Sequence, residues 1–451
     1  MSLFSSPRTL GAATETHDNG FNAVRLACAL AVVVYHAYQM SPVAAGLDPL
    51  TSRLRPVTDL GALAVGIFFL LSGMFVSQSW LRDPHLGRFA LRRVARIVPG
   101  LFVATLLCTV VAVAFFSDRG VAGLLDPAPW RYIFGNTVLH WLQYNIPPEE
   151  LNIPGVLGGR NLNGVLWTLY WEGRMYVVLA LVGMAAVLPM RQWLRGAAIF
   201  LLLAANLFPE VLSGYLWEVR LWSLFLTGVL LQTLAPQLRI GAVHVLCALA
   251  LVGLNWTRSL AMTQHPLTWF GIALLAAALA LWIGSARVRG LGHVQRHDYS
   301  YAVYIYHWPV LMMIGELAPN ATPHLALALC LVVLAPLSLL SWHWVEAPAM
   351  RAARRWLRRP AAVIPATPDT VIPATPDTVI PATPDTVIPA TPDTVIPASS
   401  DTVIPATSDT VIPASSDTVI PAKAGIQGSQ RTNAAYTSGN ADGLGFPPAR
   451  E

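Results

Sequence analysis

Apolar runs of about twenty residues recur from Phe21 to Trp344, parted by short polar stretches. Each is long enough to cross about 30 Å of hydrocarbon as a helix. None alternates in the two-residue rhythm of a barrel strand, and lipid admits only helices or closed barrels. The pattern therefore predicts an all-α, polytopic integral membrane protein with about ten transmembrane helices. They are expected at roughly 22–40, 61–80, 98–116, 165–188, 196–212, 217–234, 241–256, 267–284, 299–317 and 324–345.

Residues 1–20 are polar and lack the apolar core of a cleavable signal, so the first span is expected to act as its own insertion signal. Residues 21–355 make up the membrane domain. One connection within it, about 117–164, is long and rich in proline, and its aromatic stretch 130–146 is suited to lie along the membrane surface. After Pro360 the chain changes character. VIPATPDT starts at Val363 and returns every eight residues with small variations. Frequent proline and the lack of apolar residues to bury predict a disordered low-complexity tail over 361–451.

Composition agrees with the pattern: 55% of the residues are hydrophobic and 12% charged, with a mean hydropathy of +0.53. The net charge of +5 hides an asymmetry, because residues 361–451 are acidic and the remainder strongly basic. The bases are arginines apart from Lys423, and they flank apolar segments, which points to topology rather than to nucleic acid. With the N-terminus inside, seventeen arginines fall on the cytoplasmic side: Arg8, five from Arg82 to Arg96, Arg191 and Arg195, Arg239, three from Arg287 to Arg296, and five from Arg351 to Arg359. Seven fall outside: Arg53, Arg55, Arg119, Arg131, Arg160, Arg220 and Arg258. That bias supports ten spans with both ends cytoplasmic. Cys28, Cys108, Cys247 and Cys330 all sit in apolar runs with no metal-binding spacing, and no metal is expected.

Ionisable groups inside a bilayer are costly and each asks for a reason. Arg25 and His36 are eleven residues apart, which puts them on one face of the first span, about 16 Å apart along its axis. They can be read as a snorkelling arginine with an interfacial histidine. Glu172 lies about two turns into the fourth span, at a depth comparable to His36. Arg174 projects elsewhere, so His36 is the expected partner of Glu172, either as a structural ion pair or as an imidazole oriented by a carboxylate for general-base work on a hydroxyl. His307 can line a path through the bundle or make a structural hydrogen bond. Trp167, Trp171, Trp217 and Trp222 read first as an aromatic belt, with ring stacking on a ligand open to Trp167.

Six stretches in order carry a family likeness: FNAVRLACALAVVVYHA (21–37), GIFFLLSGMFVS (66–77), RRVARIVPG (92–100), NGVLWTLYWEGRMY (163–176), DYSYAVYIYHWPV (298–310) and VEAPAMR (345–351). They resemble, respectively, an Arg–ten residues–His helix, an FF-x-x-SG helix, a basic RR-x-x-RI-x-P turn, an LW-[ST]-L-x-x-E signature, an SY-x-x-Y-x-x-H-x-P helix and a closing E-x-P. Together they resemble the membrane-bound acyltransferase-3 family, bacterial O-acyltransferases of surface and secreted glycans. The resemblance implies a ten-helix fold, an acyl-CoA donor, expected to be acetyl-CoA, as co-substrate with no bound cofactor, and a carbohydrate acceptor on the outer side. It carries His36 and Glu172 over as catalytic residues and Arg25, Arg93 and Arg96 as donor-binding residues. Trp167, Tyr176 and His307 are candidates for lining the substrate. Gly173 stands where many relatives have a second acid, and the repeat tail is not a family feature.

His293 and Asp298 show an H-x4-D spacing of the kind used by glycerolipid acyltransferases, which short loops meet by chance. GxSxG, HExxH and P-loop patterns are absent. The rival from another class is a proton-coupled transporter, which uses the same residue types.

Overall fold

The computed structural model describes residues 9–16, 19–41, 43, 46–54, 57–139, 152–184, 192–193, 196–197, 199–201, 204, 216–259, 266–286 and 292–358. These fall in one unit. The span expected at 196–212 lies mostly outside the described residues, and the tail 361–451 wholly so. Among the described residues the chain is helical, with no strand and two isolated bridges, Ser117 with Val156 and Asn152 with Asn161. The main helices are α1 (Phe21–Gln39), α2 (Leu60–Arg82), α3 (Leu86–Phe116), α4 (Trp167–Met184), α5 (Leu216–Leu234), α6 (Ala242–Ser259), α7 (Pro266–Ser285), α8 (Ser300–Leu317), α9 (Pro323–Leu340) and α10 (Ala347–Leu357). Four helical stretches are long and apolar enough to cross a membrane: α1, α2, α3 and the run from α9 through α10. The molecule is a membrane protein on this evidence.

Helix starts follow local chemistry. Asp59 accepts from the Ala62 amide at 2.7 Å to cap α2, and Thr322 caps α9 ahead of Pro323, whose missing N–H costs nothing at a first helical position. The structure differs from expectation at α3. The basic stretch before Pro99 is no turn but the first half of a 31-residue helix. His85 caps its start, and Asp83 holds Arg88 at 2.7 Å and also pairs closely with Arg92. Hydrogen bonds and charge from these two arginines hold the half-buried Asp83 carboxyl below its usual range.

Close packing orders the bundle around the site. A Cβ on Gly73 would stand 1.9 Å from the Phe225 carbonyl oxygen, and one on Gly228 would stand 2.0 Å from that of Leu70. These two glycines let α2 and α5 cross backbone to backbone, as small residues do in lipid. α8 packs on α1, α3 and α9, and α7 packs on α1, α2 and α6. At one end of the pair α1–α8, Arg25 meets Asp298, and at the other His36 meets His307. The two helices therefore run parallel. α4 runs against them, from Trp167 beside His36 to Tyr176 beside Arg93.

Candidate active site

The histidine end is held by a splint. Pro309 has no N–H, so the Ile305 carbonyl four residues earlier loses its helical donor. The Asn163 side chain supplies the missing hydrogen bond, donating to that carbonyl at 2.8 Å. Trp308 donates through its ring N–H to the Asn161 carbonyl at 3.2 Å. Gly164 gives the indole room, since a Cβ there would approach it to 2.5 Å. The segment leading into α4 thus fixes the ring positions on α8.

His307 is fully buried. Its Nδ1 lies 2.6 Å from the Tyr304 carbonyl, which can only accept, so Nδ1 carries the proton. In the neutral ring Nε2 is then bare, and it lies 2.8 Å from Nδ1 of His36. His36 must therefore donate through Nδ1, which leaves its own Nε2 unprotonated. The His36 and His307 rings lie 5.1 Å apart at 20°, and Trp308 meets His36 edge-on at 4.9 Å. Half-buried His36 lines a cavity of about 60 Å3 together with Trp167, Tyr304, Trp308, Trp217 and Asp59.

The expected pairing of His36 with Glu172 is corrected here. Ser72 donates to Glu172 Oε1 at 2.9 Å, and Tyr176, one turn along α4, donates closely to the same oxygen. Ser72 and Tyr176 are 3.1 Å apart. The physical reason is packing: α8 lies along α1 and presents an imidazole at the level of His36, while Ser72 holds the carboxylate toward α2. Arg174 lies over Tyr170 at 4.3 Å, away from this cluster. Ser72 was visible in the sequence only as the serine of the FF-x-x-SG stretch.

At the opposite end, Arg25 at 3.2 Å and Arg96 at 2.5 Å share Oδ2 of Asp298. Arg96 also lies 3.8 Å from the fully buried Glu346, whose other oxygen accepts from Ser341 at 2.9 Å. Asp298, just ahead of α8, takes the Ser300 amide at 3.3 Å and its hydroxyl on Oδ1. Burial works to raise this carboxyl, but Arg96, Arg25 and Ser300 outweigh it and hold it below the usual carboxylate range. Arg93 lies over Tyr176 at 5.7 Å and Phe89 at 5.8 Å, and its Nε is buried without a hydrogen-bond partner.

The three arginines singled out from sequence thus gather at one end, two of them tied by acids that sequence reasoning did not nominate. Asp298 belonged to a spacing read as accidental. The usable signal was an acid at the mouth of an apolar helix, on the arginine-rich side of the chain. Tyr176 and Glu172 lie between the arginines and the cavity, since Trp167 to Tyr176 spans about 13 Å of α4. One face of α8 carries Tyr301, Tyr304 and His307, so polar groups run along the bundle from one end to the other.

Residues 18–343 match the family model of the acyltransferase 3 domain, described as an acyltransferase domain. The chain is 29% identical over 371 residues to nodulation protein 10 of Rhizobium leguminosarum bv. viciae, covering 74% of this chain and 94% of that one. It is 26% identical over 345 residues to an O-acetyl transferase of Shigella phage Sf6, covering 73% and 95%. It is 28% identical over 386 residues to acyltransferase MdmB of Streptomyces mycarofaciens, covering 76% and 93%. No solved structure matches significantly. The chain belongs to the acyltransferase-3 family and is an enzyme that transfers acyl groups.

Proposed function

We propose that the protein moves an acyl group from a cytoplasmic acyl-CoA-type donor, with acetyl-CoA as the first candidate, to a hydroxyl of an extracytoplasmic carbohydrate. It does so as a multi-pass protein of the bacterial inner membrane with both termini cytoplasmic. His36 is the general base. Its bare Nε2 takes the hydroxyl proton while the oxygen attacks the thioester carbonyl; the C–O ester bond forms, the C–S bond breaks, and the proton leaves with the thiol. His307 positions the base and sets its tautomer. Arg25, Arg93 and Arg96 hold the donor phosphates, which guanidinium groups grip in pairs of hydrogen bonds. Glu172 acts from between the two ends, keeping the Tyr176 hydroxyl in place beside Arg93. Trp167 offers a ring face to the acceptor sugar.

The observation that carries this reading is the hydrogen-bond chain from the Tyr304 carbonyl through His307 to His36, a residue that lines the cavity; the tautomers this chain requires leave Nε2 of His36 as its free acceptor. Helix directions support the alternation of spans: α1, α3 and α8 run one way and α2 and α4 the other, as expected for first, third and ninth spans against second and fourth. The relative named an O-acetyl transferase supports acetyl as the group moved. Family membership sets the transporter reading aside.

The test is mass spectrometry of surface glycans from a deletion strain, complemented with wild type or with His36→Ala. Acylation should return with the first and stay absent with the second; no difference among the strains would remove the assignment. Orientation is checked by single cysteines at Gly87 and Gly158. A membrane-impermeant maleimide should reach only the second in intact spheroplasts.

A further inference from the structure

Arg220, the fifth residue of α5, has no part in the chemistry above. Its Nε is buried without a hydrogen-bond partner, and its guanidinium lies 4.6 Å from the centre of the Trp269 ring. Arg25 and Arg96 have carboxylates to answer their charge; no described carboxylate answers that of Arg220. A partly buried cation against apolar walls, one turn into a span, is well placed to meet something anionic.

Arg220 lines a second cavity of about 30 Å3 between α2, α5 and α7. Ala273, Ala276 and Ala277 form its α7 wall, with Gly66 and Ile67 opposite. It is too small for a sugar ring, and its three alanines are only partly buried, so it opens as a shallow trough against which a single hydrocarbon chain can lie. Trp217 and Ala62 line both this trough and the cavity of His36, so the two voids lie side by side.

We propose that the trough binds the anionic, apolar-tailed part of a lipid-carried acceptor. A phosphate or pyrophosphate sits on Arg220, with its hydrocarbon chain along the alanines of α7. The sugar attached to that phosphate then reaches His36 past Trp217. The guanidinium fork matches phosphate oxygens, and Trp269 on its face keeps the fork in place. Only the last placement, sugar to His36, rests on the acyl-transfer reading; binding of the amphipathic anion stands by itself.

The test uses the full chain in dodecyl maltoside micelles, with binding read by tryptophan fluorescence and by the melting midpoint. Dodecyl phosphate should bind and raise the midpoint, whereas inorganic phosphate alone should do neither. Arg220→Gln should weaken dodecyl phosphate binding by about tenfold to a hundredfold, the loss of one charge-assisted hydrogen-bonding group, and Arg220→Lys should recover part. Ala276→Leu keeps the cation but fills the trough, and should weaken binding as well. Equal binding by wild type and Arg220→Gln, full binding by Ala276→Leu, or inorganic phosphate matching dodecyl phosphate would overturn the proposal. So would phosphatidylglycerol binding as tightly with the same dependence on Arg220, because the occupant would then be bulk lipid. His36→Ala should bind dodecyl phosphate as wild type does. Binding in a protein that acylates no carbohydrate would sink the proposed acceptor and leave this inference standing.

Discussion

Replacing His307 with leucine tests the tautomer argument directly. The substitution takes away the Nε2 atom that accepts from His36 at 2.8 Å and keeps an apolar side chain of similar bulk on α8. The His36 N–H is then stranded among Tyr35, His36's own helix and Trp308, which costs about 1–3 kcal/mol for an unsatisfied buried donor. The ring can avoid that cost only by turning or by moving its proton to Nε2, and either change removes the bare nitrogen from the cavity. At about 1.4 kcal/mol per tenfold, kcat should fall roughly 5- to 150-fold. That is a smaller loss than His36→Ala, for which general-base catalysis sets about 10²- to 10⁴-fold. His307→Gln retains an amide oxygen that can accept from His36 and should recover part of the rate. Donor KM should stay constant in all three, because the arginines sit at the far end of α1, about 16 Å from His36. The assay is acyl transfer by the purified protein in proteoliposomes, with kcat and KM separated. Wild-type kcat in His307→Leu, or a His307→Gln enzyme no better than the leucine variant, would refute the reasoning.

Asp298→Asn leaves Arg25 and Arg96 without their shared counter-charge and should destabilise the protein by about 3 kcal/mol, the lower end for a broken buried pair because both arginines are about a fifth exposed; thermal denaturation reads it. Because the Asp298 carboxyl is held below its ordinary value of 3.8, its contribution is complete above about pH 4 and fades as pH falls through the lower folded value, so wild type should lose more stability than Asp298→Asn on acidification. Glu172→Gln should raise donor KM more than it lowers kcat, the reverse of His307→Leu, as steady-state kinetics will show. Gly73→Ala forces α2 and α5 apart and should cost at least about 1–3 kcal/mol, seen as a lowered melting midpoint. A stop codon after Arg359 should leave transfer activity unchanged in the same assay.

The order of apolar runs, the side of the arginines and six short motifs were enough to read a helical membrane protein of this family from the chain. They also picked out His36, Glu172, Arg25, Arg93 and Arg96, because an ionisable residue in an apolar run stands out in one dimension. Partnership did not stand out. Helical periodicity states which face of its own helix a side chain occupies, and says nothing about which neighbour lies against that face. Glu172 was therefore matched with the nearest suitable cation by depth, and the fold gave it Ser72 and Tyr176 instead. His307 became the partner of His36 because α8 packs parallel to α1, a contact between residues 271 positions apart. Asp298 joined two arginines from separate helices for the same reason. The sequence by itself determined what must avoid water and which polar groups resist that rule; only the tertiary structure decided how those groups satisfy one another, since hydrogen bonds depend on distances that packing alone sets.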